Sequence, residues 1–231
     1  TVISQWFEDH LADSGPDFSS NRKKLLKYDN FITSNFITTH PSTLSFLKKK
    51  KNFHYLPIPV DRNIEKLKIY ENINQINDVF FSMSHGVNRG KLKRDKQDER
   101  HNFISELISE CPNIIFDIYG YKNREPVWAD DFYKVIVNSK MALNLTRGKP
   151  LKYLTSNRIA SLIGNGLLTF IDKKTKLDNF FNSDEVVFYS GLQDLANKIN
   201  FYKSNDKSRV RIAKNGRRRY FDLFECQKVS E

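Results

Sequence analysis

From Asp78 onward, short runs of β-branched or aromatic residues alternate with segments of helical period, and few chain patterns restrict the fold more tightly. The runs Val79–Ser82, Ile114–Tyr119, Met141–Leu145, Leu167–Ile171 and Val186–Tyr189 are apolar throughout and end in polar or glycine-bearing turns. Strands buried on both faces have that character, and strands so buried belong to parallel sheets flanked by helices. The intervening segments carry apolar residues on single helical faces: Phe103, Ile104, Leu107, Ile108 and Cys111; Trp128, Phe132, Val135 and Ile136; Ile159, Leu162 and Ile163; Leu192, Leu195, Ala196, Ile199 and Tyr202. Five strands with interleaved helices predict a doubly wound α/β domain over residues 78–206, closed by a basic helix and tail over 207–231.

Upstream the pattern is thinner. Val2–Phe7, Phe31–Ser34 and Phe53–Ile58 read as strands, with helices around Asn21–Leu26 and Pro41–Leu47. Three strands form part of a sheet, so residues 1–61 are expected to be the later part of a second α/β domain, and the polar, aperiodic stretch 62–77 a linker. The first residue is Thr1 and the next few already read as a strand, which predicts a fragment whose beginning is missing.

The charge narrows the partners. With 38 Lys and Arg against 27 Asp and Glu, the formal charge is +11, which favours anionic partners such as nucleic acid, an acidic membrane surface or a phosphorylated small molecule. The two cysteines, Cys111 and Cys226, make no disulfide framework and have no metal-ligand spacing, which suits a reducing, cytoplasmic compartment. No apolar run approaches the ~20 residues of a membrane span. No motif for reading RNA or DNA is present, so nucleic acid is not expected as a partner.

In an open parallel sheet, ligands bind beyond the carboxyl ends of the strands. After the first strand of the larger domain comes Ser84-His85-Gly86-Val87-Asn88-Arg89-Gly90-Lys91, whose glycines allow close backbone approach and whose Arg89 and Lys91 suit phosphate oxygens; a solvated basic loop fits the same residues. Arg100 opens the next helix and either reaches the same space or is simply exposed. Thr155 or Ser156 caps a later helix, and Arg158 in its first turn opposes the helix dipole, which is simplest to explain if it faces an anion or a carboxylate. Gly164 and Gly166 read as a helix C-cap and a close helix–sheet approach. Asp130 and Asp131 fall inside a predicted helix and are not read as metal ligands.

Leu56-Pro57-Ile58-Pro59-Val60-Asp61, Asp117-Ile118-Tyr119-Gly120, Ser139-Lys140-Met141-Ala142-Leu143-Asn144-Leu145, and Ser156-Asn157-Arg158 running to Gly164-Asn165-Gly166-Leu167-Leu168 occur in an order that resembles the group 1 glycosyltransferases of the GT-B fold, in the branch related to spore-coat glycosyltransferase-like proteins. The resemblance implies a complete Rossmann-like C-terminal domain preceded by part of another, and metal-independent transfer of a sugar from a nucleotide-sugar donor. No further cofactor is implied. It places the donor against His85, Gly86, Arg89, Lys91, Arg100, Tyr119, Gly120, Asn144, Ser156, Asn157, Arg158 and Ser161. Many members carry a glutamate three residues after the arginine, to hold the ribose hydroxyls, where this chain has Ser161. The clustered candidates for a general base are Glu8, Asp9 and His10, which read equally as a polar turn after a strand. A glycan, lipid-linked or protein acceptor is left open, as is peripheral contact of Lys207–Arg219 with an anionic inner membrane face. The alternative is a non-catalytic module that keeps the fold and binds the nucleotide sugar.

Overall fold

The computed structural model describes residues 2–13, 15, 17–47, 52–83 and 99–230. Two parallel sheets form. The smaller contains β1 (Ser4–Phe7), β2 (Ser34–Ile37) and β3 (Phe53–Tyr55) in that order, with α1 (Phe18–Leu26) between the first two strands. The larger contains β4 (Asn77–Ser82), β5 (Phe116–Tyr119), β6 (Ser139–Asn144), β7 (Leu168–Asp172) and β8 (Val187–Tyr189), ordered β5-β4-β6-β7-β8. The helices are α2 (Glu99–Glu110), α3 (Ala129–Ile136), α4 (Asn157–Gly164), α5 (Leu192–Ser204), α6 (Asp206–Phe224) and α7 (Cys226–Ser230). The protein is an α/β fold of two parallel sheets with interleaved helices.

Alternate residues of the central strands enter different cores, as the period of two requires. Val79, Phe81, Met141, Leu143, Leu168 and Phe170 pack with Ile104, Leu107, Leu195, Ile199 and Ile212 of α2, α5 and α6. Phe80 and Ala142 point the other way, against Ile136 of α3 and Leu162 of α4. Both faces are therefore apolar, which made these strands readable as unbroken hydrophobic runs.

The first half departs from expectation at two places. The predicted strand Phe31–Ser34 is shifted, because Phe31 and Ile32 close turns onto the carbonyls of Tyr28 and Asp29, and the strand runs instead over Ser34–Ile37. Phe31 stays 73% exposed. The predicted helix Pro41–Leu47 is a single 3₁₀ turn, Pro41–Thr43, capped by His40 Nδ1 accepting from Ser42 N–H. Lys48–Lys51 lie outside the described residues.

Residues 62–77 form a strap fastened to the larger unit, with Glu65 and Ile69 buried in it. Asn165 anchors the strap, its Oδ1 accepting from Leu67 N–H at 3.1 Å and its carbonyl from Ile69 N–H at 2.8 Å. The flanking glycines permit this approach: a Cβ on Gly164 would lie 2.6 Å from Glu65 Cγ, and one on Gly166, at φ +82°, would lie 2.5 Å from the Tyr70 ring. The helix C-cap itself is Asn165.

Two further clasps join the sheets. The loop 145–156 reaches the small sheet, where Lys152 O accepts from His40 N–H at 2.9 Å and Thr155 N–H donates to Thr38 O at 3.1 Å. The end of α6 holds residues 58–60, with Tyr220 OH donating to Ile58 O and Val60 N–H to Phe224 O, both at 2.9 Å.

α6 itself lies close to the chain before β8. A Cβ on Gly216 would sit 2.1 Å from Glu185 O, a backbone atom that cannot rotate aside. Gly216→Ala is expected to cost about 1–3 kcal/mol, the range for overpacking, read as a lower denaturant midpoint. An unchanged midpoint would show that α6 shifts without cost.

Candidate functional site

The strand order places β4 beside β6, and chain direction reverses its progress across the sheet there. A cleft of about 400 Å³ opens at the carboxyl ends, lined by Ser82 at the end of β4, Ser156, Asn157, Arg158 and Ser161 at the start of α4, and Val127, Trp128, Ala129, Phe132 and Tyr133 at the start of α3. Glu8 and Asp9, just after β1 in the small sheet, line it as well, and Ile58 closes it. The sequence-predicted acid pair and the first turn of α4 thus share one space.

Each donor in that space has a local cause. Ser156 has extended φ, ψ of −141° and 160°, and its Oγ accepts from Ile159 N–H at 3.4 Å, so the helix begins at the cleft. The other first-turn N–H groups carry the positive end of the helix dipole. Arg158 donates through Nη1 to Leu145 O at 2.9 Å, and its guanidinium carbon stands 5.0 Å from the Phe81 ring centroid. Fixing one corner of the guanidinium on the carbonyl and its face on the ring limits how the group can turn.

The aromatic wall of the cleft escaped the sequence reading, which assigned Trp128 and Phe132 to a core face by their spacing. Phe132 does pack on Phe80, at 5.4 Å and edge-to-face, yet it also lines the cleft. Trp128 is 62% exposed. The signal available was its place just before the helix, at its N-cap, with Ala129 at φ +47° turning the chain. Tyr133 and Ser161 both line the cleft, and burial holds the Tyr133 hydroxyl above the ordinary tyrosine range. Behind them stands Glu65, whose carboxyl burial pushes upward and whose Oε2 accepts from Asp61 N–H at 2.9 Å. Glu65 thus approaches Tyr133 from the strap, although it does not itself line the cleft.

His10 does not line the cleft. Its Nδ1 accepts from Ala12 N–H at 3.3 Å, while its Nε2 is buried with no partner among the described residues. Burial, then the charge of Arg147, lowers its pKa to about 4, so the ring is neutral at pH 7. Asp9 pairs with Lys24 at 3.6 Å, both exposed.

The remaining predicted residues separate. Arg100 and Asn144 line a second cavity of about 260 Å³ with Asp172, Lys174 and Tyr189, at the carboxyl ends of β6, β7 and β8. Tyr119 and Gly120 line neither. Tyr119 lies under the Arg124 guanidinium, 3.7 Å away, and Arg124 Nη1 binds Asp117 Oδ1 at 2.5 Å. Gly120, at φ +72°, lets β5 end against Met83, whose carbonyl oxygen would be 1.9 Å from an added Cβ. His85, Gly86, Arg89 and Lys91 lie outside the described residues. Among the described residues, no three His, Cys, Asp or Glu side chains gather as a metal site would need.

Residues 96–231 match the family model described as "Glycosyl transferase-like". No curated protein sequence matches the chain. Among solved structures, Anabaena HepE in complex with UDP-glucose is 12% identical, with a TM-score of 0.67 over 99% of this chain and 70% of that one. S. aureus TarM, in a complex that includes UDP, is 14% identical with a TM-score of 0.65, over 99% of this chain and 49% of that one. The sucrose-phosphate synthase of Thermosynechococcus elongatus is 12% identical with a TM-score of 0.57, over 96% and 61%. At these identities the likeness is one of fold.

His10 yields a pH prediction. A histidine whose pKa falls from 6.5 to about 4 on folding leaves stability whole above pH 6.5 and erodes it as pH drops toward 4, by about 3 kcal/mol in all. His10→Asn should flatten that limb in urea titrations between pH 7 and pH 4. Glu65 acts in the opposite sense in both proteins, so the difference between them isolates His10. Parallel curves would refute the burial of a neutral ring.

Proposed function

The chain belongs to the glycosyl transferase-like family, and from that premise we propose that it moves a sugar from a nucleotide-sugar donor to an acceptor hydroxyl in the 400 Å³ cleft. The observation that carries the reading is the arrangement of that cleft: Arg158 and the start of α4 on the larger sheet, Glu8 and Asp9 on the smaller. Within the family we assign the chain to the branch resembling spore-coat glycosyltransferase-like proteins, on the order of its motifs.

The chemistry follows from where charge develops. As the bond from the anomeric carbon to the diphosphate oxygen breaks, the electron pair leaves with the diphosphate, and Arg158 with the α4 N–H groups stabilises the growing negative charge. The acceptor oxygen bonds to the anomeric carbon and its proton goes to Glu8 or Asp9 as general base. Trp128 and Phe132 offer ring faces for a nucleobase. Ser161 and Tyr133 offer hydroxyls for the ribose, with Glu65 behind them. HepE binds UDP and UDP-glucose, which makes uridine the first base to test. The reading needs no metal, and the acceptor is a glycan, a lipid-linked sugar or a protein side chain.

Calorimetry with UDP in chelator should show binding, accompanied by quenching of Trp128 fluorescence. Arg158→Ala should weaken UDP by about 1.5–3 kcal/mol, the scale of a charge-assisted hydrogen bond, with only a small fall in melting temperature from the lost bond to Leu145 O. If that variant binds as the parent does, Arg158 only braces Leu145.

Paired replacement of Glu8→Gln and Asp9→Asn should leave UDP affinity intact while slowing UDP release from UDP-glucose about 100-fold. Binding without any release in the parent would assign the chain to the non-catalytic module. No binding of any nucleoside diphosphate would end both readings.

A further inference from the structure

Among the described residues a second group of cations stands apart from the cleft, where Arg158 faces two acids. A cavity of about 180 Å³ between the strap and α6 is lined by Arg62, Tyr70, Lys214, Arg217, Arg218 and Asp222, among others. Two guanidinium carbons crowd one ring there, Arg62 at 4.9 Å and Arg217 at 4.6 Å from the Phe221 centroid. Arg62 is answered by Glu225 at 2.6 Å, and Arg217 Nη2 donates to Glu65 O at 2.9 Å. Arg217 Nε is buried with no partner among the described residues.

The charge continues outward. Lys207, Arg211, Lys214 and Arg218 are all exposed and spaced by four, three and four residues, which is one stripe along α6. Asp222 ends the stripe and Asp206 precedes it. Gathering like charges this way costs stability unless an anion relieves the repulsion. The strap that supplies Arg62 and Tyr70 also exposes Ile64, Ile73 and Ile76, at 52%, 93% and 71%.

We propose that the α6 stripe, the cavity beside it and the isoleucines of the strap form a docking face for an anionic phospholipid surface. Cations meet lipid phosphates while aliphatic side chains enter the interface, the pairing that holds peripheral proteins on membranes. A free phosphate or a nucleic acid would use the cations and leave the isoleucines idle. Among the described helices none is long and apolar enough to cross a membrane. This face is separate from the cleft and does not depend on the donor reading.

Co-sedimentation with vesicles tests it. The protein should bind vesicles containing phosphatidylglycerol, release from them in high salt, and ignore pure phosphatidylcholine. Lys214→Glu with Arg218→Glu should lower binding at least about tenfold, since each basic residue near an anionic surface contributes on the order of a fivefold factor. Ile73→Ser should weaken binding without altering its salt dependence. Lys23→Glu with Lys27→Glu, an equal change of net charge on exposed residues of α1 and its C-cap, should have a much smaller effect. Equal losses from both double variants would reduce the attraction to net charge alone and overturn the proposal. Binding of pyrophosphate in the cavity without vesicle binding would overturn it too, as would displacement by duplex RNA with no preference for lipid.

Discussion

Asn165 is the residue on which the arrangement turns. It is fully buried, its Nδ2 donates to Ser161 O, and it accepts the strap through both its side chain and its carbonyl. Without a Cβ on either neighbour, the strap lies directly on the end of α4. That contact brings Glu65 to Tyr133 on one side and Arg62 and Tyr70 to α6 on the other. One amide thus fixes the strap on the end of α4 and, through it, a wall of the basic cavity. Burying an amide of this kind is tolerated only because its polar atoms are paired, so the packing has little freedom to slide.

How much of this was legible depended on which force set each feature. The five strands of the larger sheet were readable because burial on both faces leaves unbroken apolar runs, and even their order of appearance matched. Phe31 misled because aromatic character indicates a strand only when the side chain is buried, and here a turn leaves it in solvent. The strap was read as a linker because its two buried residues, Glu65 and Ile69, follow no period; their burial depends on glycines a hundred residues away. Arg158 and Ser156 could be placed at the opening of α4 because strand ends and helix starts are local signals. Trp128 was missed as a cleft residue because helical spacing cannot distinguish a ring that faces a core from one beside a ligand space. The division of the strand-end residues between two cavities was not readable, since it depends on which side of the sheet each loop rises.

The charge distribution separates two kinds of surface. In the cleft, one arginine and a helix terminus face two carboxylates, which favours a ligand carrying both anionic and hydroxyl groups. Along α6 the cations stand in a row with no acid between them. The formal charge of +11 is a property of the whole chain and distinguishes neither the balanced site nor the unbalanced face.

The clasp between Ile58 and Tyr220 joins residues 162 positions apart. During synthesis the turn around Ile58–Val60 leaves the ribosome long before its partners at the end of α6 exist as chain. The small sheet can pair its own strands early, yet this clasp must wait until the end of α6 has emerged, and loop closure over such a distance is slow. In that interval Ile58 and Val60 are uncovered, and a chaperone that binds short aliphatic stretches would meet the nascent protein at the segment that later borders the cleft.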